Sequence, residues 1–479
     1  ILAAFFMLAA CISYLYWRLS LSAGNFSSIR LVLVFLFIVL AVFSKETAIV
    51  IVPILLLLEA LWLGFKGPGG SVIPWLRLVT WVLIGLGACS LLLFFTVNAD
   101  WLVSSYDTRP FTLYERVLTQ TRILWDYIGQ IYAPEVVVMG LYQDDIVVSQ
   151  SLSGNHVTFI SVIAWLSVLA GCAVSLLLGV GRYAVFPILF YLVGHSTEST
   201  ILALELYYEH RNYFPGVGLF LLLGVVAIAA INKFPEVRSP LLVFLGGYVI
   251  WLAAQTGSQV QIWSNKSLLS INDVNAHPES FRANVNMATE LAQIGELDAA
   301  LEYSLRANSV SIGERKGDLD IRDLALSCMA NAPLPVDRIY SIGTVDSARP
   351  LSSVATLNVL VRLLQDNACP NFDRMLFANR MQQIFLETQQ LDKGSAHLYS
   401  RLAVLENALE RYEYSYAYMA LFLRISPADV GGLLMQLHFA TALDYRDQTI
   451  LLKSKLQTMD EAGKLTLAQK ETLSLYPEN

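Results

Sequence analysis

Apolar residues dominate the first half of the chain in long blocks, separated by short polar connections. Eight blocks, roughly 1–17, 30–44, 47–65, 78–97, 157–179, 183–197, 214–232 and 239–256, are the expected membrane-spanning helices. A span needs about 20 largely apolar residues, and shorter ones such as the second and sixth occur where helices pack together. The fourth and fifth blocks are joined by a long connection, 98–156. Inside it, "FTLYERVLTQTRILWDYIGQIY" (111–132) sets Leu113, Val117, Leu124, Ile128 and Ile131 near one face, with Arg116, Gln120 and Arg122 off it. That is the pattern of a helix lying along a membrane surface.

The pattern changes after residue 256. "ANVNMATELAQIGELDAALEYSLRA" (283–307) has small residues where two helices would touch; Gly295 marks the turn, and Ala300 and Ala307 follow at the spacing of a tetratricopeptide repeat. A weaker unit runs through 398–427 and ends on Pro427, and 313–397 is helical in pattern but less regular. One such unit cannot bury its own face, so several must stack. The expected fold is therefore mainly α: a polytopic helical membrane domain over 1–256, with an outer loop at 98–156, followed by a soluble tetratricopeptide-like α-solenoid over 257–479.

Composition supports this division. The 479 residues are 55% hydrophobic and 15% charged, against roughly 45–50% and about 25% in soluble domains. Residues 1–259 hold 12 Lys/Arg and 13 Asp/Glu, and residues 260–479 hold 20 and 26. Neither half is basic enough for nucleic acid to be a partner. The opening "ILAAFFMLAACISYLYW" has neither an initiator Met nor the basic start of a signal peptide. It reads as a chain that begins inside a membrane helix, with an upstream segment expected.

Charge also orients the helices. With the connection at 18–30 cytoplasmic, Arg18, Arg30, Lys66, Arg77, Arg182, Lys233 and Arg238 lie inside beside one acid, Glu236. The opposite side then holds five bases and eleven acids, as the positive-inside rule requires. Three polar segments share that outer face: "SKET" at 44–47, the loop 98–156, and the stretch from His195 to Pro215. The eighth helix exits to the same side and carries everything after about residue 257 with it. Cys11, Cys89 and Cys172 sit in oily segments as packing residues, whereas Cys328 and Cys369 lie in the soluble half, where pairing is open to them.

Candidate chemistry collects on the outer face. Lys45 and Glu46 form either a self-neutralising polar turn that caps the next helix or, through Lys45, a site for an anionic lipid-linked phosphate. In "LYYEHRNYFPG" (206–216) the tyrosines suit an interfacial belt, with Arg211 reaching for headgroups. The contiguous Glu209-His210-Arg211 suits a lipid-phosphate site better, with Arg211 as clamp and Glu209 orienting it or His210. Asp144 and Asp145 in "MGLYQDDIVVSQSL" are either a solvated loop or a functional pair, as ligands for a divalent cation, Mg or Mn, or as a base that assists catalysis. His195 and Glu198 approach the same face and would complete a polar cavity. No CxxC pair, HExxH, Walker loop or GxSxG occurs in the sequence, which removes support for zinc hydrolysis, P-loop ATP hydrolysis and serine esterase chemistry.

Taken together, "SKETA", "LTQTRILWDYI", "GLYQDD", "LELYYEHRNYFP" and the repeats after them resemble bacterial multi-pass glycosyltransferases of the GT-C class. The nearest in style are the transmembrane-and-tetratricopeptide O-mannosyltransferases. The resemblance runs over nearly the whole chain and implies a polyprenyl-phosphate-linked sugar donor, a protein or glycan acceptor arriving from the periplasm and docked on the repeats, and often a divalent cation. It implies an inner-membrane location with surrounding lipid, and a catalytic Asp in a first outer loop upstream of Ile1. Two rivals stand against it: a non-enzymatic repeat scaffold for envelope assembly, and a transporter. An anchor needs fewer helices, and a transporter needs an ionisable residue well inside the membrane, to which Glu59 comes nearest.

Overall fold

The computed structural model describes residues 1–107, 109–310, 316–342, 354–387 and 396–476, and within it all eight apolar blocks are helical. They are α1 (Leu2–Ser22), α2 (Ser28–Ser44), α3 (Glu46–Leu63) and α4 (Pro74–Val97), then, after the short α5 (Ala99–Ser104) and α6 (Leu113–Tyr132), α7 (His156–Leu177), α8 (Arg182–Gly194), α9 (Gly216–Lys233) and α10 (Arg238–Ser264). Six of them are long and apolar enough to cross a membrane. The other two, α2 with 17 residues and α8 with 13, are the blocks expected to be short. Among the described residues the only β-structure is an isolated bridge between Lys66 and Val72.

Local chemistry sets the ends of these helices. Pro74 opens α4, where its missing N–H costs nothing. Thr112 and Glu115 form a reciprocal capping box at the start of α6, and Asn155 caps α7 through the amide of Val157. Packing is close where α9 crosses α8. A Cβ at Gly218 would lie 2.7 Å from the Pro187 carbonyl and 2.9 Å from the Phe190 ring, so only glycine lets the two backbones approach this closely.

An internal ion pair ties α1 to α3. Glu59 is 0% exposed, and Arg18 grips it with both arms, Nε to Oε2 at 2.6 Å and Nη2 to Oε1 at 3.0 Å. The Tyr14 hydroxyl and the Phe65 amide donate to the same carboxylate, and Arg18 also donates to the Lys66 carbonyl. The one acid that suggested a transport path is thus fully engaged as a clamp.

The chain divides into two units, Ile1–Leu269 and Ser270–Asn479. The boundary falls later than the 256/257 read from hydropathy, because α10 continues through the polar residues beyond 256 to Ser264. The second unit contains α11 (Lys266–Ala276), which begins just before it, then α12 (Phe281–Ile294), α13 (Leu297–Val310), α14 (Lys316–Met329), α15 (Val336–Ser341), α16 (Val354–Gln365) and α17 (Arg374–Gln382). It continues with α18 (Ala396–Ala408), α19 (Tyr412–Ile425), α20 (Val430–Ala442), α21 (Arg446–Glu461) and α22 (Leu467–Ser474). The expected hairpins at 283–307 and 398–427 are α12–α13 and α18–α19. Gly295 turns the first with φ +88°, and Ala283, Ala288, Ala300 and Ala307 are buried in it. Of the less regular 313–397, residues 313–315, 343–353 and 388–395 lie outside the described residues. Cys328, at the end of α14, and Cys369, after α16, form a disulfide.

Glu406 on α18 makes the second unit sensitive to pH. It is 1% exposed, with Arg411 Nε 3.1 Å from Oε2, and burial pushes its carboxyl up to about 7 against the pull of Arg411. An unfolded Glu titrates near about 4.3, so the folded form prefers the proton. Its contribution to stability is complete below that value and is lost as the pH rises through about 7. The wild-type chain should therefore melt at a higher temperature at pH 5 than at pH 8, and Glu406→Gln should reduce the difference. Equal pH slopes for the two proteins in thermal melts would remove Glu406 as the cause.

Candidate functional site

Beyond Gly194 the chain stops being helical. Residues 195–208 are turns and irregular backbone, followed by a short 3-10 turn at Glu209–Asn212. "HSTEST" is poor helix-forming sequence because Ser and Thr hydroxyls compete for backbone partners; Thr200 Oγ1, for example, donates to the Ser196 carbonyl. Irregular backbone between apolar helices leaves carbonyls that the protein itself must satisfy. Helix α6 supplies the donors.

Arg116, 0% exposed, donates to the carbonyls of Glu198 (2.8 Å), Thr200 (2.9 Å), Leu204 and Glu205 (3.3 Å). One turn on, Gln120 donates to the Leu206 carbonyl at 2.7 Å. Further along, the Tyr127 hydroxyl donates to the Tyr208 carbonyl and accepts from the Tyr208 amide. Tyr106 adds a bond to the Ile201 carbonyl at 2.6 Å. On α6 the polar stripe Arg116-Gln120-Tyr127 is buried beside Leu118 and Ile123, while of the apolar face Leu113, Leu124, Ile128 and Ile131 are half-buried and Val117 is exposed. Burial lowers the Arg116 guanidinium to about 10, so it stays charged at neutral pH.

The segment held in this way forms one wall of a cavity of about 740 Å³. Lys45, Glu198, Tyr208, Glu209, His210 and Arg211 give it a charged end, and Ala3, Ala4, Met7, Val50, Phe214 and Trp263 are among its apolar walls. Lys45 leaves the end of α2 in an extended conformation, and its Nζ lies 2.6 Å from Glu198 Oε1. Arg211 is buried; its Nη1 donates to the Glu205 and Leu206 carbonyls and its guanidinium covers the Tyr208 ring at 5.2 Å. Glu209 Oε1 accepts from Gln143 Nε2 (2.6 Å) and the Gly140 amide (3.3 Å), anchoring the 139–143 loop to the cavity. His210 is held below the usual histidine range by burial and then by Lys45, against the opposing pull of Glu198.

Five of the residues singled out from sequence therefore line one cavity: Lys45, Glu198, Glu209, His210 and Arg211. His195 does not. Its ring stacks on Tyr127 and meets Tyr191 edge-on at 2% exposure, and burial, followed by Arg211, holds it well below the usual histidine range. It stays neutral and supports the wall from behind. Glu46 is exposed at the first turn of α3, and Asp144 (exposed) and Asp145 (half-buried) follow the 139–143 loop without lining the cavity. Among the described residues no group of three or more His, Cys, Asp or Glu side chains converges. Tyr208, Gln259 and Trp263 line the cavity without having been foreseen; the last two lie on the part of α10 that extends past its apolar block.

Fold and site together define a mainly helical chain, among the described residues, with helices of membrane-spanning length and a cavity that has a charged end and apolar walls. Comparison with protein-family models, with characterised proteins and with solved structures gave no match.

Proposed function

We propose that this protein is a membrane glycosyltransferase that moves a sugar from a polyprenyl-phosphate-linked donor to a protein or glycan acceptor on the periplasmic side, with the second unit serving acceptor binding. The observation that carries the reading is the meeting of Lys45 with Glu198, Glu209, His210 and Arg211 in one cavity whose remaining walls are apolar. A lipid phosphate has this same division between charged head and oily chain. The ammonium of Lys45 and the guanidinium of Arg211 would take the phosphate. They would also stabilise the charge that grows on it as the sugar leaves. The Cys328–Cys369 disulfide supports an oxidising, extracytoplasmic setting for the second unit, which agrees with the charge bias of the connections.

The test is binding of undecaprenyl phosphate to the full chain in lipid bilayers. Lys45→Ala is the cleaner variant, because the Lys45 side chain bonds to Glu198, whereas Arg211 also holds backbone carbonyls. Loss of a charge-assisted contact is worth about 1.5–3 kcal/mol, so the affinity of Lys45→Ala should fall on the order of 10-fold or more. If the wild-type chain does not bind, or Lys45→Ala binds equally well, the reading is wrong.

A further inference from the structure

Two carboxylates line the cavity, and they are held very differently. Glu209 is engaged by a side-chain amide and a backbone amide, and so serves as an anchor for the 139–143 loop. Among the described residues, the partner of the Glu198 carboxylate is the Lys45 ammonium. The Glu198 backbone, by contrast, is fixed at both ends: its amide donates to the His195 carbonyl at 3.2 Å, and its carbonyl accepts from Arg116 at 2.8 Å. The residue thus has its backbone tied by two hydrogen bonds and its carboxylate by one ion pair. Lys45 is 40% exposed against 13% for Glu198, so an incoming anion meets the ammonium first.

Building on the transferase reading, we propose that Glu198 is the counterion displaced from Lys45 by the donor's phosphate, and that the released carboxylate, in place of the upstream Asp that the resemblance implies, is then the catalytic base for the acceptor. A phosphodiester and a carboxylate compete for the same ammonium, a compact charge with rotatable donors. The anchored backbone confines the displaced carboxylate to the cavity beside the phosphate. There it takes the proton of the acceptor hydroxyl as that oxygen bonds to the anomeric carbon of the sugar. The bond from that carbon to the phosphate oxygen breaks, its electron pair stays on the phosphate, and Lys45 and Arg211 hold the charge gained. The products are the glycosylated acceptor, a polyprenyl monophosphate and protonated Glu198. One carboxylate thus keeps Lys45 neutralised in the empty site and becomes a free base only once the donor is in place.

The experiment compares wild type, Glu198→Gln and Glu198→Asp as full chains in bilayers. Binding is measured with undecaprenyl phosphate, and single-turnover transfer with polyprenyl-phosphate hexoses and a hydroxyl acceptor. Glu198→Gln should bind the lipid phosphate several-fold more tightly, because a competitor is gone. It should also lose transfer by at least ~100-fold, the scale of general-base catalysis, with Glu198→Asp recovering part of the rate. Weaker binding by Glu198→Gln overturns the exchange. Wild-type transfer by a Glu198→Gln protein that still binds overturns the base role, and loss of transfer in His210→Asn alongside that result would pass the role to His210. If the wild-type chain neither binds nor transfers, the transferase reading fails and takes the inference with it.

Discussion

Arg116→Met should cost the first unit on the order of 3–5 kcal/mol and abolish lipid-phosphate binding, although Arg116 does not line the cavity. A buried carbonyl that loses its donor costs about 1–3 kcal/mol, and Arg116 serves four of them, at Glu198, Thr200, Leu204 and Glu205. The methionine fills most of the volume, so the loss reports hydrogen bonding rather than a cavity. Arg116→Lys should fall in between, because an ammonium cannot reproduce the planar fork that reaches carbonyls on several sides. Thermal unfolding in detergent and undecaprenyl phosphate binding would measure both effects. A Met variant that melts and binds like wild type would mean the 198–206 segment holds its shape without α6.

The second large effect lies at the other end of the bundle. Arg18→Met leaves the Glu59 carboxylate buried and uncompensated, at an expected cost of about 3–5 kcal/mol. Adding Glu59→Leu should recover most of that loss, since an apolar pair of similar volume is often as stable as a buried ion pair. The double-variant cycle separates two roles for this clamp. Recovery assigns it to structure, linking α1 to α3. Continued loss in the double variant, with folding intact, would show that the charges themselves are needed.

The helices and the grouping of most candidate residues were legible in the sequence because both follow from coarse patterns. Apolar blocks located the helices, and charge counts in the connections put Lys45, Glu198 and Glu209–Arg211 on one face, from which the structure gathers them into one cavity. What could not be read was every interaction whose partner is a distant backbone. The bonds from Arg116 and Gln120 to carbonyls at 198–206 leave no trace in the residues that accept them, because any residue has a carbonyl. Glu209 looked like a partner for Arg211 or His210 by adjacency, yet Gln143 and Gly140 bind it. His195 looked like a site residue because it is titratable. Its place between Tyr127 and Tyr191 depends on how α6 meets α8, which no local pattern records.

The polar stripe of α6 also bears on how the chain is made. Residues 113–132 emerge from the ribosome well before residues 195–215, so the donors for the irregular segment are already present when its carbonyls are synthesised. In the reverse order, the six carbonyls and one amide that α6 satisfies would be delivered with nothing to receive them, each costing several kcal/mol if left beside lipid. The order of elements along the chain therefore acts as an assembly schedule, with the template first and the segment that depends on it second. A circular permutant with α6 moved behind α8 would have the same contacts available in its final state but would have to insert its most polar backbone unassisted.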